Sequence, residues 1–256
     1  MKFCCFNTLA IVPVLWSVLM FLGFVSGYIV AVTLGHLEPF VPYISDLGLN
    51  APESYIFSAV CTLSAILGAI TMYGEYKYFK LSNPNGKDLH NKIILGNGLL
   101  SCVGILIAGY FQEFEYEYVH LIGAVLAFGQ ANLYAICHCY YYYKLSLWKD
   151  NTRLFLFRVA LASSLTSIFL CLSLLFIGCK IYDHSCMLAD WDFPFRQECA
   201  TMEWFELIGI CIFLLTLKKE MQQLGFRVPK SLKEDWIVKT EKCYDDVEAP
   251  EDPISG

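Results

Sequence analysis

The hydrophobic positions of this chain fall in long unbroken runs separated by short polar connections. Leu9–Leu34 holds 26 residues without a charge. Tyr55–Tyr73, Ile93–Phe111 and Val119–Tyr143 are likewise free of Lys, Arg, Asp and Glu. Leu154–Cys179 contains one charge, Arg158, close enough to its start to snorkel to an interface. Ala200–Leu217 is interrupted near its beginning by Glu203 and Glu206, so only Leu207–Leu217 is continuous. A helix needs about 20 apolar residues to cross the hydrocarbon core. The bilayer offers the backbone no water, so each crossing must satisfy its own hydrogen bonds as a helix. The pattern predicts an all-α integral membrane protein, a six-helix transmembrane bundle over 1–217. The spans are 9–34, 55–73, 93–111, 119–143, 154–179 and 200–217, followed by a tail over 218–256.

Charge placement sets the expected orientation. With both the N- and C-termini in the cytosol, the inner segments hold Lys2, then Lys77, Lys80, Lys87 and Lys92. They also hold Lys144, Lys149, Arg153, Arg158 and seven more bases from Lys218 to Lys242. The outer segments hold only Lys180 and Arg196. Sixteen bases inside against two outside follow the orientation rule for membrane helices, and this bias requires the sixth crossing despite its two glutamates. A basic inner face also favours anionic lipids of the cytosolic leaflet as partners.

Composition removes several classes. Hydrophobic residues make up 57% of the chain and charged ones 16%, against roughly 25% charged in a soluble domain. The first run is much longer than a signal-peptide core and follows a single Lys, so it reads as a span. The inner connections, Gly74–Lys92 and Lys144–Arg153, are too short for a folded domain. The tail begins with Leu224, Phe226, Val228, Leu232, Trp236 and Ile237 among lysines, suited to a membrane surface. It ends acidic and Pro-containing, suited to disorder. The five histidines show no H-E-x-x-H spacing, and no Gly-rich phosphate loop, G-x-S-x-G or C-x-x-C exists. No catalytic set, metal site or cofactor is expected, and nothing points to nucleic acid.

The connection Gly35–Ser54 carries the densest local signal. Pro42-Tyr43-Ile44-Ser45-Asp46-Leu47-Gly48 precedes Asn50-Ala51-Pro52-Glu53-Ser54. Two prolines, a Gly and an Asn fix a turn-rich hairpin, in which Ser45 and Asp46 can accept backbone N–H bonds. Ser54 stands where the second helix begins and could cap it. Gln112, Glu113, His120, Glu203 and Glu206 form an expected outer-face polar cluster. Within it a His120–glutamate pair could tie the fourth span to the sixth, or the group could serve a lipid headgroup, proton or ion. Cys186 and Cys199 are the preferred disulfide in an oxidising compartment, with Cys179 able to replace either. Gly23 and Gly27 permit close helix approach within the bundle or between copies. Cys4 and Cys5 could be acylated. Tyr244-Asp245-Asp246-Val247 fits a Tyr-x-x-apolar sorting signal that adaptors bind, through Tyr244 and Val247.

Pro42-Tyr43-Ile44-Ser45-Asp46 followed by Pro52-Glu53-Ser54 resembles the signature of the DRAM family, the damage-regulated autophagy modulators, within a wider group of Frag- and Sfk-type membrane proteins. Further matches run along the chain: Ala31-Val32 with Gly35-His36, Met72-Tyr73 with Tyr76-Lys77, Phe111-Gln112-Glu113, His120 with Gly123-Ala124 and Leu126-Ala127-Phe128-Gly129, and Glu203-Trp204. The similarity covers about residues 10–225. The family usually has Thr where this chain has Leu47. The resemblance implies six spans, lysosomal or endosomal membrane, and promotion of autophagy or apoptosis through protein or lipid partners, without covalent chemistry. Two other readings follow from relatives and from the residues. One is a plasma-membrane regulator of ion currents or of phosphoinositide kinase recruitment. The other is an intramembrane lipid enzyme or transporter, which would need a polar cavity around His120, Glu203 and Asp46.

Overall fold

The computed structural model describes residues 8–84, 86, 89–182 and 195–227. Its described residues are helical, with no strand among them. Six helices are long and apolar enough to cross a membrane. They are α1 (Thr8–Thr33), α2 (Glu53–Ser82), α3 (Leu89–Tyr110), α4 (Glu117–Lys144), α5 (Thr152–Tyr182) and α6 (Arg196–Thr216). Each packs on its neighbour in sequence, and α6 returns to α1, so the bundle closes into a ring. The short helix α7 (Lys218–Arg227) continues from α6 and packs on α1 and α2. Both ends of the described chain therefore lie at one end of the bundle, and the 34–52 hairpin lies at the other.

Small residues set the helix spacing. A Cβ on Gly23 would lie 2.4 Å from Val60 of α2, and Gly27 faces Leu47. This pair of glycines packs within the bundle. The closest approach joins α3 to α4. A Cβ on Gly104 would lie 2.2 Å from the backbone N of Ala127, and Ser101 Oγ donates to Ala127 O at 2.7 Å. There α4 contains a π turn, Val125–Gly129. Such turns insert a residue without breaking the helix and often mark functional sites.

The spans reach beyond the apolar runs that announced them. α2 continues nine residues past Tyr73 to Ser82, carrying Glu75 inward. The described chain also continues as helix past Leu217, with Met221 and Leu224 buried. Between them lies a polar cluster that the sequence did not announce. Arg158, expected to snorkel outward, is fully buried. It donates to Glu220 of α7 through Nη1 (2.7 Å) and Nη2 (2.9 Å), and to Thr216 Oγ1 (2.8 Å) and O (2.7 Å). The snorkelling expectation fails because a hydropathy window cannot see that α7 folds back to present a carboxylate. Close by, Glu75 meets His138 at 3.2 Å among Phe79, Tyr134, Tyr142 and Phe213.

Candidate functional site

The hairpin starts where Gly35, at φ +76°, ends α1. His36 N–H reaches back to Ala31 O at 2.9 Å, closing the helix C-terminus in a Schellman arrangement. Ser45–Gly48 then forms a 3-10 turn. Asp46 Oδ2 accepts the Tyr43 N–H at 2.8 Å, as the turn chemistry predicts. Ser45 behaves differently: its hydroxyl donates to Glu113 at 2.8 Å. Ser54 does not cap α2. The capping position is Pro52, which has no suitable side chain, and the adjacent Glu53 is buried against His36 Nδ1 at 2.7 Å. Leu47 is wholly buried with Phe57 and Phe24. An apolar residue suits that position, since a hydroxyl there would be dehydrated.

The last span and the α3–α4 connection hold the hairpin down. From α6, Arg196 Nη2 donates to Asp46 Oδ2 (2.9 Å) and Oδ1 (3.0 Å). Arg196 also lies 5.0 Å over the Tyr43 ring. Glu203 accepts the Ile44 N–H at 2.9 Å, and Trp204 Nε1 donates to Pro42 O at 2.9 Å. From the α3–α4 connection, Gln112 Nε2 donates to Gly48 O at 3.0 Å. Burial raises the Asp46 carboxyl to about 6, against the opposing pull of Arg196. Burial also raises the Tyr43 hydroxyl, so it stays neutral.

Beneath the hairpin a cavity of about 290 Å³ lies between α4, α5 and α6. Glu113, Glu117, His120, Glu203 and Glu206 supply its polar wall; Phe128, Phe169 and Phe176 lie on the apolar side. A second cavity of about 80 Å³ shares His120, Phe128 and Glu203 and runs toward α1 and α2. The expected polar cluster is thus brought together, except that Gln112 serves the hairpin. The expected His120–glutamate pair is replaced. His120 Nδ1 bonds Phe111 O at 2.7 Å, closing the α3–α4 turn. Glu206 pairs instead with the Asn132 side chain, one turn below the π turn. Asp46 does not line the cavity, because Arg196 occupies it.

The disulfide expectation is corrected. Cys199 is a free thiol buried beside Tyr43, while Cys179 is disulfide-bonded. A Cys186–Cys199 bridge is therefore ruled out, since the packing of Tyr43 against the start of α6 claims the Cys199 side chain. Cys4, Cys5, Cys186, Tyr244 and Val247 lie outside the described residues. Sequence reasoning missed Arg196, Trp204 and Asn132. The available signal for the first was an Arg in a connection expected on the outer side, since a base against the orientation rule needs a local reason.

The sequence model of the Frag1/DRAM/Sfk1/Cwh43P N-terminal domain matches residues 8–224. The chain is 32% identical over 241 residues to DNA damage-regulated autophagy modulator protein 1 of Mus musculus, covering 91% of this chain and 99% of that protein. It is 32% identical over 231 residues to DNA damage-regulated autophagy modulator protein 2 of Bos taurus, covering 86% and 87%. It is 28% identical over 209 residues to the modulator of macroautophagy TMEM150B of Danio rerio, covering 80% and 82%. No solved structure matches significantly. The matched region takes in the hairpin, its anchors on α6 and the cavity beneath, and the chain belongs to the Frag1/DRAM/Sfk1/Cwh43P family.

Proposed function

We propose that this chain is a non-enzymatic membrane regulator of autophagy, acting through protein or lipid partners in lysosomal or endosomal membrane. The observation that carries the reading is the near full-length similarity to proteins named as autophagy modulators. Their naming as modulators supports the non-enzymatic half as well. Both termini face the cytosol in this reading, and the hairpin faces the lumen. The sixteen-to-two basic bias supports that orientation. So does the disulfide at Cys179 on the hairpin end, since disulfides persist in oxidising compartments. Anionic lipids of the cytosolic leaflet, other membrane or cytosolic proteins, and sorting adaptors at Tyr244–Val247 are the partners it implies.

The test is loss and replacement. Cells lacking the chain should clear autophagic cargo more slowly, and the tagged chain should colocalise with lysosomal membranes and shift to the surface on Tyr244→Ala. Unchanged clearance would remove the autophagy reading. Surface residence indifferent to Tyr244→Ala would remove the lysosomal one. One observation favours a second reading, a lipid-handling or transport role: His120 and Glu203 line the same cavity.

A further inference from the structure

We propose that the cavity between α4, α5 and α6 binds an amphiphilic amine, an ammonium group on a hydrocarbon chain, which enters sideways from the bilayer between α4 and α5.

The polar wall selects the head. Glu113, Glu117, Glu203 and Glu206 line the cavity, and no Lys or Arg does so among the described residues. The nearby guanidinium of Arg196 is committed to Asp46. Carboxylates gathered around one space repel one another when ionised, and a cation offsets that repulsion. An anionic head would meet the same field with the wrong sign. The wall is also rich in acceptors. A carbonyl can only accept, so His120 donates from Nδ1 to Phe111 O. Glu206 supplies the most specific sign. It is 1% exposed and lines the cavity; one oxygen takes the Asn132 amide, and Oε2 has no hydrogen-bond partner. A buried acceptor without a donor is unfavourable, and an ammonium with its three N–H groups relieves it.

The other wall and the size select the rest of the molecule. Phe128, Phe169, Leu172 and Phe176 give a hydrocarbon lining on which methylenes pack. At about 30 Å³ for each water-sized group, the cavity holds about ten heavy atoms, enough for a head and its first carbons. The remaining chain must lie outside. The geometry allows this, because the outer half of α4 makes no extensive contact with α5. Val125 and Ile177 line the cavity yet are 50% and 52% exposed. α5 is also the least enclosed helix, with 11% of its span buried. The opening therefore faces lipid along the side of the bundle. This inference rests on the membrane-spanning reading and not on the autophagic role, so either can fail alone.

The test uses the full chain in phosphatidylcholine nanodiscs with a photoreactive dodecylamine, and mass spectrometry to locate the label. Saturable labelling of α4 and α5 near Phe128 and Phe169 is expected, competed by dodecylamine and not by dodecyl phosphate or dodecanol. Glu206→Gln should weaken binding by about thirtyfold, the loss that follows removal of one charge of a buried pair. Ser173→Phe, which fills the cavity from a position bonded only to its own helix at Phe169 O, should abolish it with unchanged melting temperature. Equal competition by dodecanol, preference for the phosphate, unsaturable labelling, or full binding by Ser173→Phe would overturn the proposal. Competition by ethanolamine as strong as that by dodecylamine would assign the cavity to soluble amines and remove the lipid half.

Discussion

Arg196, in the first turn of α6, and Asp46, in the hairpin 150 residues earlier, form a buried ion pair at 2.9 Å that fixes the hairpin to the last span. The pair lies beside two further ties from the same helix, Glu203 to Ile44 N–H and Trp204 to Pro42 O. The hairpin thus contributes Tyr43 and Ser45 to the lining of the cavity.

Removing one partner should be costlier than removing both. Arg196→Ala leaves Asp46 buried and unpaired, at about 3–5 kcal/mol. The double variant Asp46→Ala/Arg196→Ala should lose clearly less than the sum of the single changes. Thermal unfolding in detergent measures all three. Additive losses would mean that the two side chains act independently.

Asp46 should make hairpin attachment pH-dependent. Its carboxyl, ordinarily at 3.8, stands at about 6 when the hairpin is attached. The attached state therefore binds more protons between those values. Its stabilising contribution is complete below the lower value and is lost as pH rises through the upper one. Acidifying from neutral to about pH 4.5 should strengthen attachment by about 2 kcal/mol. Hydrogen exchange of the 40–50 amides, corrected for intrinsic rates, should show greater protection at low pH, and Asp46→Asn should abolish the difference. Loss of protection on acidification would reverse the sign and contradict the account.

The opposite end of the bundle offers a comparison. Arg158→Met should destabilise the chain by about 3–5 kcal/mol, because Glu220 is left uncompensated. Arg158→Met/Glu220→Leu should recover most of that loss, since well-packed apolar replacements of buried ion pairs are commonly tolerated. A double variant as unstable as the single one would show that Thr216 and the ring of Tyr142, 5.3 Å from the guanidinium, matter more than the pair.

Cysteine chemistry separates the two cysteines at the hairpin end. In the denatured, unreduced chain, Cys199 should take a maleimide label and Cys179 should not. After reduction both should label. A protected Cys199 in the unreduced chain would restore the pairing that the structure excludes.

Five of the six spans could be read directly, because a charge-free apolar run is a one-dimensional signal. The sixth needed the bias of Lys and Arg across the connections. The hairpin turn was legible in its prolines and Asp46. The contacts that give it meaning were not, since Arg196, Glu203 and Trp204 reach it only through the ring closure of α6 on α1. The same limit hid Arg158 and Glu220. A glutamate on the face shared by Leu217, Met221 and Leu224 was the available hint of a buried partner. The π turn left no mark in the hydropathy at all. His120 and Glu203 line one cavity, yet the His120 bond goes to the backbone carbonyl of Phe111, a partner that side-chain patterns cannot reveal.

If the anchored hairpin serves autophagy regulation, autophagic clearance should fall in cells lacking the chain. Cells given back the natural chain should recover clearance. Cells given Asp46→Ala/Arg196→Ala at equal abundance in the same membranes should not. Clearance that never depended on the chain, or full recovery with the detached hairpin, would contradict the account.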